Sequence, residues 1–225
     1  MNTDIAAQWG AQLTALGPLA FFMAVASITP GPNNVMLATA GAVAGLRASV
    51  PHILGISVGV TVQIALIGIG LGSLFSTHPW LAESLRMASV GYLLWLAWSL
   101  VTASPPEEDA TTAKAPGVYA RLDNAGKPQR GRPLSFLGAA LFQWANPKAW
   151  MMALTVCAAF LPAGEDRLTA LVSVAAVSML VNLPCVTVWA GAGVALRRWL
   201  NAPARWRAFN LTMAVALVAT AAGVL

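Results

Sequence analysis

Charge is what this sequence has least of. Of its 225 residues only 9% are Asp, Glu, Lys or Arg, where a soluble globular domain carries about 25%. Hydrophobic residues make up 58%, above the roughly 45–50% of soluble chains. So little charge excludes a water-facing enzyme, a disordered chain and an ordinary nucleic-acid binder. Anions are scarcer than cations, 8 against 13, for a net charge of +5. In so apolar a chain that excess speaks for membrane topology, not nucleic acid. Cysteine and histidine are also rare, two of each. Cys157 and Cys185 lie in separate apolar runs, and His52 and His78 stand far apart. That excludes a disulfide framework and a zinc ligand set, and no metal or cofactor is expected. The first ten residues hold Asp4 and no Lys or Arg. A secretory leader needs a positive start, so the first apolar stretch is expected to stay in the mature protein.

What the chain has is long apolar runs. A helix needs roughly 20 apolar residues to cross a bilayer. Six runs qualify, at about 13–46, 51–75, 80–101, 135–161, 168–196 and 206–225. The first is interrupted at Pro30-Gly31-Pro32 and the fourth at Asn146-Pro147. Residues 102–134 are different: rich in Pro, Gly, Thr and charge, with no apolar period. They read as a mobile linker. The fold expected is therefore an all-α integral membrane protein of six transmembrane helices. It has a first half at 1–101, a polar linker at 102–134 and a second half at 135–225.

The cations are unevenly placed. Arg47, then Lys114, Arg121, Lys127, Arg130 and Arg132, then Arg197, Arg198, Arg205 and Arg207 fall in the loops after spans one, three and five. Only Arg86 and Arg167 fall on the other side. The positive-inside rule then puts the linker in the cytoplasm and both termini on the outer side of the membrane. Trp9, Trp80, Trp199 and Trp206 stand at span ends, where interfacial anchors belong.

The two halves echo each other. Each opens with a proline-broken helix, and each has a second helix with glycines at its end: Gly68, Gly70 and Gly72 against Gly191 and Gly193. Each also enters its last helix through proline, at Pro79 and Pro203. Three spans per half makes the halves inverted repeats, and paired broken helices in such repeats point to a transport site near the midplane. Proline removes a donor and blocks the carbonyl four residues back. In hydrocarbon each unsatisfied group costs several kcal/mol, so the break at Pro30 and Pro32 must face protein or a wet cavity. Beyond it, a helix starting near Asn33 offers free N–H groups to a carboxylate, and Asn33 and Asn34 add amides. The bland alternative is a kink capped by Asn33.

Lys148 is the most informative residue. It lies between Trp144 and Trp150 in the run from Phe136 to Leu161, and no Asp or Glu falls inside any span. An intramembrane lysine costs about 2.5–3.5 kcal/mol on insertion scales. Its partners would be carbonyls freed by Pro147, water, or an anion on a ligand, unless it snorkels to the interface. Gln63, Asn146 and Asn182 fall near mid-span and complete the candidate binding set with Pro30, Pro32, Asn33, Asn34, Pro147 and Lys148. Thr39, Gln143, Thr187 and Asn210 read as helix–helix hydrogen bonds. His52, at the start of span two, is with Lys148 a candidate proton carrier, although a loop-end histidine more often faces water. Gly41/Gly45, Gly55/Gly59 and Gly68/Gly72 permit close helix packing, within the chain by default or across a homodimer.

Taken in order, Pro30-Gly31-Pro32-Asn33, Gly45-Leu46-Arg47, Gly55 and Gly59, Gly91-Tyr92-Leu93 and Asn146-Pro147-Lys148 resemble the LysE/RhtB family of amino-acid exporters. The match covers nearly the whole chain outside the linker. Ser49 and Ala97-Trp98 depart from positions where that family commonly has glycine. The resemblance implies export of a small amino acid or related metabolite, coupled to the proton gradient. The residues themselves suit a small zwitterionic substrate: helix N–H groups and Lys148 for the carboxylate, exposed carbonyls with Asn146 or Gln63 for the amine. The rivals are a cation exporter and a membrane thiol-redox protein using Cys157 and Cys185. Buried single cysteines are usually inert packing, and transport by a variant with both changed to Ala would dispose of the second.

Overall fold

The computed structural model describes residues 16–71, 77–102, 121–122, 128–129, 133–162, 167–196 and 199–223. They form an all-α protein with one short β-pair. The first apolar run is two 13-residue pieces. α1 covers Leu16–Ile28 and α2 covers Pro32–Ala44. Pro30 and Pro32 remove the N–H groups that Ala26 and Ile28 would use, so α1 ends there. Pro32 then opens α2 at its first position, where an N–H has no helical partner anyway.

α2 ends at Gly45, whose φ of 85° lies where glycine alone is at ease. That single residue turns the chain directly into α3, Leu46–Leu66, which runs on through a π turn, Ile67–Leu71. The second span therefore begins five residues earlier than the sequence reading, because no loop separates the two helices. α4 is Pro79–Val101. In the linker, Arg121–Leu122 (β1) pairs antiparallel with Pro128–Gln129 (β2), an order that the loop reading lacked. The remaining linker cations lie outside the described residues, as do Trp9, Gly72, Arg197 and Arg198.

The second half opens with α5, Phe136–Phe142, whose first turn is capped by the Ser135 hydroxyl on Gly138 N–H. A 3₁₀ turn, Gln143–Ala145, leads to α6, Pro147–Phe160. α7, Arg167–Leu196, is 30 residues long and carries Pro184 inside. α8 is Pro203–Ala222. α7 and the 26-residue run Leu46–Leu71 are each long and apolar enough to cross a membrane. At 1.5 Å per residue, both exceed the roughly 30 Å hydrocarbon core.

Small residues set the helix crossings. A Cβ on Gly41 would lie 2.0 Å from the Ala190 carbonyl oxygen, and one on Gly193 would lie 1.9 Å from that of Ala38. α2 and α7 thus touch backbone to backbone. Gly55 and Gly59 bring α3 equally close to α5 at Phe136 and Ala140. Gly41, Gly55 and Gly59 are all spent on contacts within the chain. α3 also packs on α7, and α4 on α8. The main core lies among α1, α3, α6 and α7, with Met23, Ile56, Ile64, Ala153, Val156 and Ala190 buried in it.

Large apolar side chains cover the outside, among them Phe21, Trp98, Val172 and Leu180. Trp80 and Trp199 are exposed at helix ends, as anchors should be. Trp206 is not: it is only 3% exposed. α8 starts at Pro203, so Trp206 falls on its inner face and packs with Ala38, Ala42, Leu200 and Phe209.

Candidate functional site

The two helix breaks meet. Between them lies a pocket open to its surroundings, with about 320 Å³ of empty space counting the solvent at its mouth. Its lining includes Pro32, Asn33, Asn34, Asn146, Lys148 and Asn182, six of the residues that the sequence singled out. Val60, Ala149, Met152 and Val186 supply apolar wall. Pro30 and Pro147 shape the breaks without lining the pocket; Pro30 is exposed, and Pro147 is buried at the first position of α6.

The first break strands the carbonyls of Ala26, Ser27, Ile28 and Thr29, and a side chain takes up each of the last three. Asn34 Nδ2 donates to Ser27 O and Thr29 O, both at 2.7 Å. Trp189 Nε1, on α7, donates to Ile28 O at 3.1 Å. Lys148 Nζ donates to Thr29 O. The sequence reading offered Lys148 a carbonyl freed by Pro147; its partner comes from the opposite break instead. The physical reason lies in the second break, where the carbonyls are already used. Gln143 O accepts from Asn146 N, Asn146 O from Ala149 N and Trp150 N, and Trp144 O from Trp150 Nε1. The Trp144 and Trp150 rings meet edge-on, with centroids 5.5 Å apart.

The two helix starts behind the breaks differ. α6 is capped: Asn146 Oδ1 accepts from Lys148 N at 3.1 Å. α2 has Gly31 at the capping position and no side-chain cap. Asn33 is not its cap, because its amide is turned to Gln143. Asn33 Nδ2 donates to Gln143 Oε1 at 2.8 Å, and Gln143 Nε2 donates back to Asn33 Oδ1 at 3.3 Å. Lys148 lies across Gly31, where an added Cβ would sit 2.9 Å from its Cδ.

Asn182 ties three helices together. Its Nδ2 donates to Ser27 Oγ at 2.9 Å, and its Oδ1 accepts from Ser57 Oγ at 3.0 Å. Ser27, Ser57, Gln143 and Trp189 were missed as site residues. The signal for Gln143 and Trp189 was weak but present: a glutamine one turn before Pro147, and a tryptophan in the middle of an apolar helix.

Gln63 and His52 do not join the pocket. Both are fully buried in α3, and among the described residues neither has a hydrogen-bond partner for its side chain. His52 is no loop-end residue, because α3 starts at Leu46 and places it in the second turn. Cys157 and Cys185 are free thiols. They face separate carbonyls: Cys157 Sγ that of Ile64 at 3.4 Å, Cys185 Sγ that of Ala24 at 4.0 Å.

A helical membrane protein with a cation and four asparagines gathered where two helices break has the architecture of a translocator. The family described as LysE type translocator matches residues 24–225. The chain belongs to that family, whose members are transporters and not enzymes. The Cysteine/O-acetylserine efflux protein of Escherichia coli (strain K12) is 27% identical over 206 residues, which cover 91% of this chain and 94% of that protein. The protein of the same name from Shigella sonnei (strain Ss046) matches to the same extent. That from Escherichia coli O139:H28 is 26% identical. No solved structure matches the chain.

Proposed function

We infer that the protein is a secondary transporter exporting a small zwitterionic amino acid, or a related metabolite, across the bacterial inner membrane. The single observation behind this reading is the contact between the breaks: Lys148 of α6 holding Thr29 O, just past the end of α1, at the edge of the pocket. A half-buried cation resting on a carbonyl can let go of it for a carboxylate, which is a better acceptor. The names of the relatives place cysteine and O-acetylserine first among substrates to try.

Around this site we read two inverted three-helix repeats, 1–101 and 135–225, joined by a cytoplasmic linker at 102–134, with both termini periplasmic. Two contacts support that reading: α3 against α7 and α4 against α8, the pairs that a twofold between such halves would bring together. Lipid covers the apolar exterior. Coupling is to the proton gradient, with Lys148 as the carrier in the pocket and His52 as the buried alternative in α3.

The test is efflux of labelled amino acids from vesicles reconstituted with the protein, with and without an imposed pH gradient. Lys148→Ala is expected to insert normally and to lose export altogether. His52→Leu is expected to keep gradient-driven flux. Normal flux from the Lys148 variant removes it from the site; loss of coupling in the His52 variant alone moves the carrier to α3.

A further inference from the structure

The uncommitted hydrogen-bonding groups of the pocket are almost all donors. Lys148 Nζ spends one of its three N–H groups on Thr29 O. The main-chain N–H groups of Asn33 and Asn34, in the first turn of α2, meet no carbonyl among the described residues. Asn146 uses its oxygen to cap α6, which leaves its NH₂ to give. Ser27 Oγ accepts from Asn182 and keeps its own proton.

Most of the acceptors, by contrast, are already engaged; among the described residues the carbonyl of Ala26, a lining residue whose helical donor Pro30 removes, is the main-chain exception. Ser27 O, Ile28 O and Thr29 O each receive a protein donor. The amide of Asn33 is closed on Gln143, and Asn182 Oδ1 is taken by Ser57. Among the described residues, Asn34 Oδ1 is the one lining side-chain oxygen of an amide with no donor on it. No Asp or Glu lines the pocket. A carboxylate entering it meets a cation and the open end of a helix. An ammonium meets only neutral oxygens, Asn34 Oδ1 and the carbonyl of Ala26, with the like charge of Lys148 nearby. Of the carbonyls at the first break the protein uses those of Ser27, Ile28 and Thr29 itself, which leaves the amine the weaker handle.

We propose that this pocket recognises its substrate chiefly through the carboxylate, and that it therefore also carries small monocarboxylates bearing a hydroxyl in place of the α-amino group. The proposal rests on the reading of the pocket as the transport site, and its test separates the two. The whole chain, purified in detergent, is titrated with L-cysteine, its hydroxy analogue 2-hydroxy-3-mercaptopropanoate, and L-cysteinamide. Binding is read by thermal shift, and transport by counterflow of labelled L-cysteine in vesicles. The hydroxy acid is expected to protect, and to compete, within about threefold of L-cysteine. The amide, which has lost the anion, is expected to be weaker by about tenfold or more. A hydroxy acid as weak as the amide overturns the proposal, and so does an absence of protection by all three. L-Cysteine protection without counterflow sinks the exporter reading instead, while the ranking by thermal shift still decides how the carboxylate is read.

Discussion

Asn34 shows what a single side chain does at a helix break. Its amide closes two of the carbonyls stranded at the first break, those of Ser27 and Thr29. Asn34→Leu keeps the volume and removes both donors. Leaving a buried acceptor unmet costs about 1–3 kcal/mol, so the variant is expected to unfold at a lower temperature in detergent and to lose transport with it. An unchanged Tm shows that water takes over the amide's role. Lys148, Asn146 and Asn33 were legible in the sequence because charge and proline are rare inside spans and mark themselves. Gln63 and His52 were misplaced for a different reason. A polar residue at mid-span declares that it is buried, but which neighbour it faces depends on crossing geometry. Gly55 and Gly59 set that geometry for α3, and it is written in no local pattern.

At the level of elements, the α2–α7 crossing holds the site together. It brings the open start of α2 and Asn182 of α7 to one pocket, and it exists because Gly41 and Gly193 have no side chain at the contact. Gly193→Leu is expected to force the helices apart. The result should be poor insertion or a Tm fall of several degrees, with export lost even where protein accumulates; wild-type flux at wild-type expression runs against this. Apolar length located the ends of α4, α5, α6 and α7 to within a residue or two. It failed at α3, where the sequence placed a loop before Pro51. A glycine with positive φ can join two helices without any loop, and Pro51 lies inside α3, where it removes one helical hydrogen bond without ending the helix, so it marked no boundary.

For the whole molecule, the central prediction concerns sidedness. A cysteine at Thr111, in a background with Cys157 and Cys185 changed to Ala, is expected to resist an impermeant thiol reagent added outside intact cells. Rapid labelling there reverses the topology inferred from the cations. The apolar helices and the breaks were visible in composition, because the bilayer imposes length rules on every span. The donor-rich character of the pocket was not, since it arises only when Asn34, Trp189 and Lys148 answer the carbonyls of the first break. The joint at Gly45 carries a consequence of its own. Two helices hinged on one residue have no slack between them, so any tilt of α2 at the pocket is passed to α3 in full, like motion through a knee. Chain added at residue 45 would uncouple pocket from helix.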